Sequence, residues 1–254
     1  MKTAGWIGLT LLIVSMTAMA DVKETEEMTY QVEPGARISL NNINGDIRIR
    51  GGSDAVVKVV AHKKAGEQKY LDEIRIVVEA DDDYVRIETR HPKGERSWFN
   101  WSDGGSGSVS YELSVPSDVS LEKIETVNGD VTIMAVSGTV EASTVNGSLE
   151  VSNLVGDVDL ETVNGGISAT FDRLGGDQRV DAETVNGKIE LLIPTDSSAR
   201  VTAETVNGSI DADDFGLEPE KGFVGRDLSG DIGSGSARIS LDTVNGSIKL
   251  KKNE

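Results

Sequence analysis

The sequence contains no cysteine among its 254 residues. A disulfide framework is therefore excluded, and so is a lipid-modified N-terminal cysteine that would anchor the chain to a membrane. Histidine is scarce as well, since only His62 and His91 are present. A histidine-based metal site or catalytic triad has few residues from which to be built. We predict that both histidines lie at the surface, on or beside strands.

Positive charge is also in short supply. The chain has 25 lysines and arginines against 43 aspartates and glutamates, which gives a formal net charge of −18 at pH 7. A surface this negative repels nucleic acid and anionic lipid, so we expect neither as a partner. Solubility is the simplest consequence of the charge, and loose attraction for divalent cations or for a basic partner is left open.

Long hydrophobic runs are absent except near the N-terminus. Lys2 is followed by an apolar run at 7–14 and by Ala18-Met19-Ala20, a small-x-small cleavage pattern before Asp21. The run is too short for a membrane span, and it has the form of a secretory signal peptide. We predict that residues 1–20 are removed and that the mature protein is periplasmic or secreted, with no membrane span.

The most regular feature that is present is a repeated pentapeptide. Glu-Thr-Val-Asn-Gly occurs at 125–129, 161–165, 183–187 and 204–208, with close variants at 143–147 and 242–246. From Gly129 to Gly165 a glycine recurs every nine residues, and apolar residues alternate with polar ones after each glycine. Such alternation is typical of strands with one buried face, and a fixed period of about 20 residues is typical of repeat architectures.

We therefore predict an all-β fold, specifically a right-handed parallel β-helix (β-solenoid) with about 18–22 residues per rung. An antiparallel meander with Asn-Gly hairpin turns fits the same pattern, but its apolar face would need a second layer that no helical pattern supplies. Residues 28–115 are expected to form a less regular N-terminal β-region continuous with the solenoid, and 116–252 the regular repeats. One worn repeat is expected at 228–232. The predicted core residues are Val131, Val140, Leu149, Val158, Ile167, Ile189, Ile210 and Ile248.

The Asn-Gly pairs predict a bend in each copy, because glycine adopts positive φ without steric cost and asparagine tolerates it. In stacked repeats the asparagine amides can hydrogen-bond along the corner, and the valine before each asparagine is expected to point inward. The pentapeptide is therefore interpreted as a structural corner and not as a catalytic centre. The predicted corner residues are Asn128, Gly129, Asn146, Gly147, Asn164, Gly165, Asn186, Gly187, Asn207, Gly208, Asn245 and Gly246.

On these residues the chain resembles a bacterial family of exported β-strand-repeat proteins, which are candidate adhesins of unknown function. The matching segments are 41–50, 111–116 and the repeats of 124–250, so the resemblance covers roughly 28–252. It implies a β-helical fold and an adhesin-like structural or interaction module of the cell envelope. It specifies no activity, and the aromatic segment 98–101 departs from the family's repeat pattern.

Stacking would also place a column of carboxylates beside the corners. Its members are Glu125, Glu161, Glu183, Glu204 and Asp242, and Ser143 interrupts it. Weak divalent-cation binding is left open because Ca²⁺ prefers oxygen ligands, although a solvated negative face is the simpler interpretation. No defined metal site, cofactor or catalytic residue is predicted.

A carbohydrate-active β-helix enzyme, such as a polysaccharide hydrolase or lyase, is the alternative function. Glycoside hydrolysis needs two carboxylates flanking the scissile bond. The candidates are Asp81–Asp83, which we expect in a hairpin turn, and Asp213-Asp214, which open an insertion with no histidine nearby. We favour the non-enzymatic module.

The segment from Arg96 to Trp101 is the most unusual in the chain. It carries two tryptophans within a Gly/Ser-rich stretch at 93–108 that separates two predicted strands. Exposed aromatic side chains can stack on sugars or anchor a protein partner, but the same side chains can also cover one end of a solenoid. The candidate contacts with an envelope protein or polysaccharide are Arg96, Trp98, Phe99 and Trp101.

Overall fold

The computed structural model describes residues 13–14, 21–91, 107–222 and 224–253. Within these ranges the chain is all-β, as predicted, and its strands form two sheets of 11 strands each. One short helix, α1 (Gln68–Glu73), and one 3-10 turn (Asp213–Phe215) were not foreseen in the sequence.

The N-terminal strands are β1 (Ile13–Val14), β2 (Val22–Gln31), β3 (Arg37–Asn41), β4 (Ile47–Gly52), β5 (Val56–Ala65), β6 (Arg75–Asp81), β7 (Tyr84–Arg90) and β8 (Ser108–Pro116). The first repeat strands are β9 (Ser120–Asn128), β10 (Val131–Met134), β11 (Val140–Asn146), β12 (Leu149–Leu154), β13 (Val158–Asn164), β14 (Ile167–Phe171), β15 (Arg179–Asn186) and β16 (Ile189–Pro194). The remainder are β17 (Ala199–Asn207), β18 (Ile210–Asp211), β19 (Glu220–Lys221), β20 (Arg226–Ile232), β21 (Ala237–Asn245) and β22 (Ile248–Asn253).

Each pentapeptide repeat contributes one strand to each sheet, and we call such a pair of strands a coil. Neighbouring coils pair in parallel and in register, so that Val140 lies opposite Val158, which in turn lies opposite Val180. The alternation seen in the sequence determines which side chains face the space between the sheets. All eight predicted core residues are buried, which confirms this part of the prediction.

The order of the coils in space differs from their order in the sequence. The last coil, β21–β22, lies between β15–β16 and β17–β18, because β21 pairs with both β15 and β17. The expectation of a worn repeat at 228–232 is wrong, since this segment is β20 and pairs antiparallel with the outer edge of β17.

A short crossing explains how the last coil reaches its place. From β20 the chain passes over the start of β17 through Gly233-Ser-Gly-Ser236, and both glycines have positive φ. The backbone N–H groups of Ser234 and Ser236 donate to Ser198 Oγ at 3.0 and 3.3 Å. The crossing therefore wraps around Ser198 and places β21 beside β17, on the side opposite β20.

The N-terminal region extends the same stack. Strands β3 and β4 pair in parallel with β9 and β10, and β7 and β8 form the next coil beyond them. Antiparallel strands β5 and β2 in one sheet and β6 in the other then close this end, and β20 and β19 close the far end of the sheet that contains β17. Antiparallel additions of this kind cover strand edges that could otherwise recruit another chain. The hand of the winding stays a prediction.

Candidate binding groove

The pentapeptide lies at the end of each strand in one sheet, and its side chains alternate between core and solvent. The threonines are buried, whereas the valines from Val127 to Val244 are 38–42 % exposed. The prediction that the valines point inward is wrong. In β11, Val140, Ala142 and Thr144 share the inner face, so Ser143 and Val145 must face outward.

Each buried threonine hydroxyl donates to the backbone of the adjacent coil. Thr162 Oγ1 bonds to the carbonyl oxygen of Gly147 at 2.9 Å, and Thr144 Oγ1 bonds to that of Gly129 at 3.0 Å. The other bonds are Thr126 to Gly45, Thr184 to Gly165, Thr205 to Gly246 and Thr243 to Gly187. The motif therefore satisfies its own buried hydroxyls between neighbouring coils.

The glycines are required for a different reason from the one the sequence suggested. Among the stacked corner glycines only Gly45 has positive φ, so the prediction of positive φ at the repeat glycines is wrong. At Gly147 an added Cβ would lie 1.9 Å from the carbonyl oxygen of Gly129. Glycine is needed because adjacent coils approach too closely for any side chain.

The asparagines form a continuous amide ladder along the corner. Asn146 Nδ2 donates to Asn128 Oδ1 at 2.8 Å, and Asn164 donates to Asn146 at 3.0 Å. Asn245 Nδ2 donates to Asn186 and Asn207 Nδ2 donates to Asn245, so the ladder follows the order of the coils in space.

Beside this ladder the outward side chains enclose a groove of about 550 Å³, which we call the corner groove. Its floor consists of the buried threonines. One wall is the valine column, comprising Val145, Val163, Val185, Val244 and Val206, with Val224 at the far end. The other wall is the carboxylate column, comprising Glu161, Glu183, Asp242, Glu204 and Asp227 and preceded by Ser143.

The carboxylates of this column are partly buried and repel one another. Partial burial, with the neighbouring charges of Asp242 and Glu161, raises the pKa of the Glu183 carboxyl above its usual range. Burial also raises the pKa of Asp242. Among the described residues, no lysine, arginine or histidine lines the corner groove, and none of its five carboxylates has an ion-pair partner.

The residues that the sequence nominated as a contact site, Arg96, Trp98, Phe99 and Trp101, lie outside the described residues. Asp82 and Asp83 form the turn of the β6–β7 hairpin, as expected. Asp214 lies in the 3-10 turn and contacts Lys251, which also binds Asp211.

The two histidines differ in exposure. His62 is exposed, as predicted, and accepts or donates a hydrogen bond with Thr25. His91 is only partly exposed, and burial lowers the pKa of its imidazole. Within the described ranges, no group of three or more histidine or carboxylate side chains is arranged to hold a metal ion. No helix in the same ranges is long and apolar enough to cross a membrane.

Comparison with known proteins places this geometry in a family. Solved structures similar to the chain include a candidate cell adhesion protein from Clostridium sporogenes, with 17% identity, a TM-score of 0.49, and coverage of 90% of this chain and 100% of that one. Another is a candidate adhesin from Bacteroides fragilis, with 14% identity, a TM-score of 0.42, and coverage of 89% and 96%. No curated protein matches the chain. The family model described as Toastrack DUF4097 matches residues 102–251, and the chain therefore belongs to the Toastrack DUF4097 family.

Proposed function

We propose that this protein is an exported, non-catalytic, right-handed β-solenoid that acts as an adhesin-like interaction module of the cell envelope, and that the corner groove is its binding surface. One observation carries the assignment of the groove. In the described part of the chain nine large hydrophobic side chains are exposed, and all of them except Val155 fall on the line that runs from Ile43 through the valine column. Exposed apolar side chains scattered singly need no explanation, whereas a contiguous patch marks an interaction site.

The composition of the groove favours binding over catalysis. Its carboxylates stand in one column instead of flanking a cleft from two sides, and none of the groove-lining residues that the structure describes is basic. The polysaccharide hydrolase or lyase stays the alternative, because stacked carboxylates about 4.8 Å apart approach the separation found in retaining glycosidases. Release of reducing ends from envelope polysaccharide by the wild type, abolished in Glu183→Gln, would favour the enzyme.

A direct test measures binding of the purified protein to washed envelope fragments in a sedimentation assay. The groove variant Glu183→Gln/Val185→Thr is compared with a control, Glu150→Gln/Val155→Thr, which makes the same changes outside the groove. We expect the groove variant to lose most of the binding and the control to retain it. Equal binding by both variants would exclude the groove as the binding surface.

Export is tested separately by cell fractionation. Cleavage after Ala20, with the mature protein in the periplasm or medium, is the expected result. An intact N-terminus in the cytoplasm would contradict an envelope role.

The segment 93–108 is proposed as a second contact, through Arg96, Trp98, Phe99 and Trp101. After removal of residues 1–20, Trp98 and Trp101 are the only tryptophans in the chain, so tryptophan fluorescence reports on this segment alone. Emission like that of free indole, readily quenched by acrylamide, supports a contact role. Blue-shifted, shielded emission shows that the indoles are buried as a cap instead.

A further inference from the structure

We propose that the corner groove binds a linear polyamine, an aliphatic chain with ammonium groups separated by three or four carbons, laid along the stack of coils. The inference rests on the proposed function, since it names the ligand of the same groove. It follows from the charge of the groove, the spacing of that charge and the apolar wall opposite.

The charge of the groove requires a cationic ligand. Five carboxylates line it, and the described residues provide no cation to neutralise them. Glu183 and Asp242 are adjacent in register across β15 and β21, and Glu204 and Asp227 are opposite each other across β17 and β20. A bound cation would lie between neighbouring carboxylates and relieve their mutual repulsion.

The spacing of the charges selects the type of cation. Adjacent coils are separated by about 4.8 Å, so successive carboxylates repeat at about that distance along the groove. In an extended chain, ammonium groups joined by a three-carbon spacer are about 5 Å apart and those joined by a four-carbon spacer about 6 Å apart. The four ammonium groups of spermine therefore stay within about 2 Å of the carboxylate spacing over three coils. Side chains on one face of an extended peptide recur only every 6.6–6.8 Å or so, and after three coils a basic peptide would be out of step by about 6 Å.

The valine column supplies the second half of the recognition. Val163, Val185, Val244 and Val206 present methyl groups along the wall that faces the carboxylates. The methylene groups of a polyamine lie between its charges and can contact these methyls, which removes apolar surface from water on both sides. A hydrated inorganic cation would use only the carboxylates, so dependence on the valines distinguishes the two ligands.

The test is calorimetric titration of the purified protein with spermine at low ionic strength. Calcium chloride and a tetralysine peptide serve as parallel titrants. We expect spermine to bind with the highest affinity, and Glu183→Gln/Asp242→Asn to weaken it by about tenfold or more. Val185→Thr/Val244→Thr should weaken it by about threefold, while Glu150→Gln and Val155→Thr leave it unchanged. Circular dichroism checks that each variant is folded, and Glu204→Gln replaces the double variant if that one is not.

Several results would overturn the inference. These are no detectable binding of spermine, equal losses in the control variants, tetralysine binding as tightly as spermine, or calcium binding as tightly with no effect of the valine changes. The last result would show that the carboxylate column binds cations through its charge alone.

Failure of the polyamine can be separated from failure of the proposed function. If spermine does not bind but Glu183→Gln/Val185→Thr still binds envelope fragments more weakly than the wild type, the groove binds some other ligand. If that variant retains the fragments, the groove does not bind the envelope, and the spermine titration alone decides whether it binds a polyamine.

Discussion

At the scale of the residue, the glycine of each corner is constrained by its neighbour in the next coil and not by its own backbone conformation. A Cβ at Gly165 would lie 1.8 Å from the carbonyl oxygen of Gly147, and one at Gly187 would lie 1.8 Å from that of Gly165. These are contacts with backbone, which cannot rotate away as a side chain can. The stack of glycines thus sets how closely the coils approach.

We expect Gly147→Val to destabilise the protein far more than Ser148→Val does. The added side chain must push two coils apart, which costs about 3 kcal/mol or more, whereas Ser148 is exposed. Urea denaturation followed by circular dichroism measures both variants. Gly35→Ala is a useful comparison because Gly35 has φ +77° but open space around a Cβ, so it isolates the backbone cost of about 1–2 kcal/mol. A smaller loss at Gly147 than at Gly35 would contradict the close-approach explanation.

A second prediction at this scale concerns the hydroxyl groups of the buried threonines. Thr162→Val keeps the shape of the buried side chain but removes the hydroxyl that donates to Gly147, and the carbonyl oxygen of Gly147 loses that bond. The expected loss is about 1 kcal/mol of unfolding free energy, and Thr162→Ser should lose less because it keeps the donor. The urea midpoints of the two variants provide the comparison, provided that the dependence of unfolding free energy on urea concentration is unchanged. A loss for Thr162→Ser with none for Thr162→Val would show that the methyl group matters and the hydrogen bond does not.

At the scale of the element, every pentapeptide strand of the repeat sheet except β11, which has Ser143, carries a carboxylate beside its corner, and the parallel register brings these charges together. The arrangement raises the pKa of Glu183 and of Asp181, in both cases first through burial and then through neighbouring carboxylates. Like charges held side by side reduce stability, which is common where a surface is retained for binding.

The sign of the pH effect follows from these raised pKa values. The folded protein holds the Glu183 proton more tightly than the unfolded chain does, so ionisation costs stability as pH rises through the folded pKa. Glu183→Gln should therefore raise the free energy of unfolding at pH 7 by less than about 1 kcal/mol, because the group is largely exposed and screened. Well below a pH of about 4 the Glu183 carboxyl is protonated in the folded and in the unfolded protein, so the gain should vanish. Denaturation at both pH values, with Glu150→Gln as control, tests this. A gain that persists at low pH would point to a cause other than charge.

At the scale of the whole molecule, the last coil lies inside the stack instead of at its end. Asp242 is in register with Glu183 on one side and with Glu204 on the other. The chain has no native cysteine, which permits a direct test by crosslinking.

We expect Glu183→Cys/Asp242→Cys to form a disulfide under mild oxidation and Glu183→Cys/Glu204→Cys not to form one. Adjacent strands place the first pair within the distance of about 4.4–6.8 Å that a disulfide needs, whereas the second pair is two strands apart, at about 9.6 Å. Mass spectrometry of digested, unreduced protein identifies the crosslink. The reverse outcome would restore the serial order of repeats.

Much of the local structure could be predicted from the sequence, and the limits have identifiable causes. The alternation that begins at Val131 and Val140 gave the buried face correctly, because strand periodicity is a local property. The sequence prediction placed Val145 on the wrong face of its strand. Counting in steps of two from Val140 reaches Thr144 and leaves Val145 outside. The corner groove was missed for the same reason.

The sequence by itself determined that the chain forms short strands, that its repeats stack in register, and that glycine and asparagine recur where coils meet. These properties depend on side-chain alternation and on contacts that every copy makes in the same way. Only the tertiary structure decided which copies are neighbours. The repeats at 183–187, 204–208 and 242–246 carry nearly the same residues, so each pairs almost equally well with any other. Their order is set instead by the antiparallel strand β20 on the outer edge of β17 and by the short crossing around Ser198, and both are contacts between segments far apart in the chain.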